Sequence, residues 1–105
     1  MGWLPAKSTF HGGTDAVKAL VGRKVRNHST RDYWTYKAPG GLGQKVRVLA
    51  GREGFVSHAW ETYELVALAD VGPLPQSLDR LARTGHFTVL AVDWDEFRQH
   101  FDIDG

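Results

Sequence analysis

Along most of this chain, apolar and polar side chains alternate residue by residue, the spacing of a strand with one buried face. In 23–28, Lys24, Arg26 and His28 oppose Arg23, Val25 and Asn27. In 31–37, Arg31, Tyr33, Thr35 and Lys37 oppose Asp32, Trp34 and Tyr36, and in 44–50 Lys45 and Arg47 oppose Val46 and Val48. Turn chemistry separates these runs: "APGGLG" at 38–43 and "GREG" at 51–54 both read as hairpins. "FVSHAWETYELVALADV" (55–71) continues as one bent strand or two until "GPLP" (72–75) breaks the pattern, and "HFTVLAV" (86–92) is apolar enough for a central strand.

The period changes to that of a helix in three places. Thr14 precedes "DAVKALV", with Val17, Leu20 and Val21 on one side and Gly22 as the stop. Leu74, Leu78, Leu81 and Ala82 are spaced for a second helix, with Pro75 or Ser77 near its start and Gly85 after its end. "VDWDEFRQHF" (92–101) is the strongest local signal. Asp93 is placed to cap the helix, with Glu96 reaching back as in a capping box. Val92 and Phe97 form the hydrophobic staple, and Trp94, Phe97 and Phe101 share a face that reads as core. The predicted fold is α+β, one domain over 1–105. It is a mostly antiparallel sheet with a short N-terminal helix and two C-terminal helices.

Composition supports a folded core: 42% of residues are hydrophobic and four are Trp. With no Cys, disulfides, thiolate metal sites and Cys nucleophiles are excluded. The first thirteen residues hold no apolar run of signal-peptide length, and Ala6 stands where a myristoylation pattern takes Ser or Thr. Apolar runs are of strand length, so no membrane contact and a cytoplasmic location are expected.

The net charge of +1 conceals a split. Residues 1–52 carry ten Lys and Arg against Asp15 and Asp32, a net +8. Residues 53–105 carry three Arg against ten carboxylates, a net −7. Such a split reads either as an anionic partner for the first half or as two halves that neutralise each other on folding.

"GQKVRVLAGREGFV" (43–56) resembles the KOW motif of small SH3-like barrels, with Gly43, Val46, Val48, Gly51, Gly54 and Val56 in the positions of its glycine and alternating valines. The resemblance covers fourteen of 105 residues. It implies SH3-like barrel character and binding to RNA, ribosomes or the transcription machinery. A nucleotide-cradling loop is excluded: in "PGGLGQK", Lys45 is followed by Val46 rather than a Ser or Thr that could hold magnesium.

The basic run is the main functional candidate. Lys24, Arg26, Arg31, Lys37, Lys45, Arg47 and Arg52 supply cations for phosphates, and Tyr33, Trp34 and Tyr36 supply rings for unstacked bases. Lys24 and Arg26 join Lys45 and Arg47 on one face if their strands pair in register. Set against this is a solvated face with ordinary strand aromatics.

The five His, at 11, 28, 58, 86 and 100, show no metal-ligand spacing, so neither metal nor cofactor is expected. A metal-free ribonuclease would draw on His28 or His58 with a carboxylate such as Glu53 or Glu61. His58 also alternates with Val56 and Trp60, as a core residue would. Ser57 and His58, as strand neighbours, are expected to point to opposite faces. Asp93, Asp95, Glu96, Asp102 and Asp104 read as a capped helix and a solvated tail, or as a surface for a basic partner. The leading expectation is a non-catalytic module binding nucleic acid or a ribonucleoprotein. The alternatives are a protein-interaction module such as a small inhibitor, and the ribonuclease.

Overall fold

A computed structural model describes residues 2–9, 14–37, 41–60, 65–69 and 89–105. In chain order these form β1 (Trp3–Pro5), α1 (Ala6–Thr9), α2 (Thr14–Leu20), β2 (Lys24–Asn27), β3 (Arg31–Lys37) and β4 (Gly41–Val48). Then follow β5 (Glu53–Trp60), β6 (Leu65–Ala69), β7 (Val89–Asp93), α3 (Trp94–His100) and β8 (Phe101–Asp104). The strands build one sheet in the order β1-β8-β2-β5-β6-β7-β3-β4, and every described pairing is antiparallel.

The alternation seen in the sequence decides which face is buried. Val25, Tyr33, Val48, Val56, Val66, Leu68, Val92, Phe101 and Ile103 share one core with Val17, Leu20, Trp94 and Phe97 from the helices. Each such aliphatic or aromatic side chain contributes about 1.5–3 kcal/mol on leaving water. Ala67 and Val89 point the other way, into a smaller cluster with Tyr36 and Trp60. α3 begins as expected: Asp93 is extended (φ −73°, ψ 161°) and its Oδ1 accepts from the Glu96 N–H at 2.8 Å. The predicted helix over 74–85 lies outside the described residues.

Three expectations are corrected. The chain does reverse, but in a turn at 49–52 just ahead of the expected 51–54, closed by Arg52 N–H donating to Leu49 O, with Gly51 at φ 91°, where a Cβ would be strained. Yet β4 and β5 do not pair across it: β4 pairs with β3, while β5 pairs with β2 and β6. A turn fixes the change of direction, whereas each ladder goes to the strand that best continues the buried face. Second, residues 101–104 are no solvated tail. They form β8 between β1 and β2, with Asp102 only 8% exposed. Third, Ser57 and His58 are not divorced by the pleat. The β5–β6 register shifts between Val56 and His58, and this bulge brings Ser57 Oγ to 3.0 Å from His58 Nδ1.

The sheet curls without closing into a barrel. Beyond β3, β4 has no ladder partner among the described residues, and it swings back toward β2. Asn27 pins that seam at one end. Its Nδ2 donates to Leu49 O at 2.8 Å, Ser29 O at 2.8 Å and, more weakly, Val48 O at 3.4 Å. The Gly51 N–H donates to Asn27 O at 2.8 Å, and Asn27 N–H to Arg52 O at 3.2 Å.

Candidate nucleic-acid interface

The sheet order parts the basic residues into two groups. Lys24 and Arg26 lie on β2, which pairs with β5 and β8. Arg31, Tyr33, Trp34, Tyr36, Lys37, Lys45 and Arg47 lie on β3 and β4, with β5, β6 and β7 between them and β2. The register that would have put Lys24 and Arg26 beside Lys45 and Arg47 is therefore not formed. Arg52 sits in the turn before β5, and the side chain of Lys37 falls outside the described part.

In the β2 group the cations are already matched by acids from the second half of the chain. Lys24 Nζ is 3.4 Å from Glu53. Arg26 lies over the Trp3 ring at 4.6 Å, and its Nε donates to Asp102 Oδ2 at 3.3 Å. The other oxygen of Asp102 is 3.1 Å from His28 Nδ1. His28 thus meets Asp102, 74 residues away, rather than Glu53, which pairs with Lys24; Glu61 lies outside the described residues. His100 stands beside it, with ring centroids 6.1 Å apart. This arrangement leaves His28 Nε2 directed away from the carboxylate, the orientation a general base would need.

At the start of β3, Arg31 holds Glu96 through two hydrogen bonds of 2.8 and 2.6 Å. Such a forked pair is more specific than a single ion contact. Tyr33 cannot offer its face to a base: its ring is buried against Phe101 at 5.7 Å, and its hydroxyl donates to Glu96 at 3.3 Å. Burial, then the Glu96 charge, push the Tyr33 phenol far above its ordinary range. Glu96 is consequently occupied by Arg31 and Tyr33 where the sequence pattern assigned its side chain to the capping box. Tyr36 is half-buried beside Ala67 and Val89.

What remains outward is the far face of the β3–β4 hairpin. Trp34 is 42% exposed and faces Lys45 across the ladder, with Lys45 Nζ 5.5 Å from the ring centroid. The neighbouring cross-strand pair is Asp32 and Arg47, joined at 3.2 Å with both side chains well exposed. An exposed pair of this kind contributes only about 0–1 kcal/mol, so an incoming phosphate can compete for Arg47. Among the described residues, neither Lys45 nor Arg52 is paired with a carboxylate.

Sequence reasoning missed Asp102, Glu96 and Asn27 as organisers of this region. "FDID" does alternate at period two, and that was the available signal for β8. Nothing local shows that its Asp meets Arg26 and His28. Among the described residues there is no group of three or more His, Cys, Asp or Glu placed to hold a metal, and no helix long and apolar enough to cross a membrane.

The described residues thus define a sheet-rich α+β domain whose long antiparallel sheet is curled but open. Comparison with protein-family models, with curated proteins and with solved structures gives no match for this chain.

Proposed function

We propose that the protein is a small non-catalytic binding module of the cytoplasm that holds single-stranded nucleic acid, RNA in particular, on the outer face of the β3–β4 hairpin. Trp34 stacks on one unpaired base, while Lys45 and Arg47 neutralise the phosphates on either side of it. The observation that carries this reading is the exposed Trp34 ring with the Lys45 ammonium 5.5 Å from its centroid. Single-stranded binding needs a flat apolar surface beside a cation, and stacking contributes about 1–3 kcal/mol per base.

Arg26 and Arg31 take no part, because each is held by a partly shielded carboxylate of the chain, and Lys24 stands on β2, away from the hairpin. The interface is accordingly small. With two phosphates neutralised, log affinity falls against log salt with a slope of roughly −1.4 for a single strand.

The test is a fluorescence-anisotropy titration of labelled single-stranded and duplex RNA and DNA across a salt series. Micromolar binding that prefers single strands is expected, weakened roughly 5- to 150-fold by Trp34→Ala, the range a lost stacking contact spans. Unchanged affinity in Lys45→Glu defeats the proposal. The same samples are run on a gel. RNA cut by the protein, and spared by His28→Ala, would replace this reading with the ribonuclease, in which Asp102 orients His28 as the base. No binding at low salt would turn attention to Trp34 and the still more exposed Leu42 as a contact for a protein partner.

A further inference from the structure

Because β4 leaves the turn at 49–52 without pairing with β5, the two strands diverge and a cleft opens between them. Its volume is about 240 Å³. Val25, Val46, Val48, Leu68, Leu90 and Phe101 make its walls apolar, and Arg47, Arg52 and Glu53 bring charge to it. Glu53 is already answered by Lys24 at 3.4 Å, and Arg47 by Asp32 at 3.2 Å. The guanidinium of Arg52, unpaired among the described residues, leaves the cleft with an excess positive charge.

Asn27 adds a second, independent observation. It is fully buried and forms part of the cleft wall. Its amide orientation is fixed chemically, because three backbone carbonyls surround Nδ2 and only an N–H donor satisfies them. Among the described residues, Oδ1 is thereby left buried with no hydrogen-bond donor. A buried acceptor without a partner is uncommon and calls for a ligand, a water or strain to explain it. The seam beside it is held by side-chain and turn contacts rather than by a strand ladder.

We infer that this cleft is a binding site for a small organic anion: a compact apolar ring bearing a carboxylate or phosphate for Arg52, and an N–H or O–H donor for Asn27 Oδ1. An apolar pocket with a few convergent polar groups is the usual form of a small-ligand site. The inference shares Arg47 with the hairpin reading but does not rest on it: neither Trp34 nor Lys45 lines the cleft, and Arg52 and Asn27 belong to the cleft alone.

The experiment follows the methyl NMR signals of Val46, Val48, Leu68 and Leu90 in the intact 105-residue chain. The probes are 4-hydroxybenzoate, benzoate, 4-hydroxybenzamide and uridine 5′-monophosphate. Shifts are expected with 4-hydroxybenzoate or the nucleotide, and whichever binds more tightly tells a free carboxylate ligand from a nucleotide. Benzoate, which lacks the donor, and the amide, which lacks the charge, should bind about fivefold or more weakly, the effect of one lost hydrogen bond. Val46→Trp, which fills the cleft, and Arg52→Glu, at an exposed side chain, should each abolish the shifts. Should Val46→Trp fail to fold, Arg52→Glu decides alone. No shift with any probe at roughly 10 mM, the weak limit for a specific site, overturns the inference. So do shifts that survive Arg52→Glu.

Discussion

The Tyr33 hydroxyl lies 3.3 Å from Glu96 under a ring that is 4% exposed, and this local chemistry sets a measurable alkaline limit on stability. Burial first, and the negative charge of Glu96 second, raise the folded-state pKa of the phenol above its ordinary value. A raised pKa means that the unfolded chain loses its proton first. The Tyr33 contribution is therefore complete below about pH 10, the ordinary phenol value, and falls away as pH rises beyond it. Urea unfolding midpoints measured between neutral and strongly alkaline pH should decline above that point, and Tyr33→Phe should flatten part of the decline. An identical alkaline slope in the variant would show that the Tyr33 phenol does not contribute. At this scale the sequence was only half legible. Period two named Tyr33 as one side of a strand, but its use as a stacking ring failed because the side it faces is the core.

At the scale of elements, α3 was legible almost in full, because its instructions are local. Asp93, Val92 and Phe97 fix its start within six residues, and the structure places all three as the pattern requires. The helix has only seven residues, so its first turn matters. Asp93→Ala should lower global stability by about 1 kcal/mol, read as a reduced urea midpoint at unchanged slope. A loss near zero would mean that packing of Trp94 and Phe97 alone holds the helix. The β4–β5 turn shows the opposite case. "GREG" announces a reversal, and Gly51 supplies the positive φ, but which strands share a ladder is settled by burial of distant partners. The bulge at Ser57 was similarly invisible, since the register shift exists only with respect to β6.

For the molecule as a whole, the charge split becomes a means of self-neutralisation. Lys24 with Glu53, Arg26 with Asp102 and Arg31 with Glu96 each join the basic half to the acidic half. The two sequence halves are thus interleaved in one sheet, with β8 lying between β1 and β2. The open seam beside β4 makes a further prediction. Amide hydrogen exchange should be markedly faster across β4, paired on one side, than across β5 and β6, which are paired on both. Equal protection of β4 and β6 would mean that the seam is closed in solution, and the cleft beside it with it.

The sequence by itself determined the sheet-rich class of fold, the strand character of 24–27, 31–37 and 44–48, the start of α3 and the core-facing valines of the strand at 44–48. Those properties depend on neighbours within a few residues, where periodicity and capping act. Only the tertiary structure decided that the basic run would be divided between two parts of the sheet, with much of its charge answered by Glu53, Glu96 and Asp102. It alone left Trp34 and Lys45 outward and buried Asn27 with an unanswered acceptor beside a cleft. Each of these depends on which distant strands come together, and that choice is made by burying the whole apolar face at once, a quantity no short stretch of the chain contains.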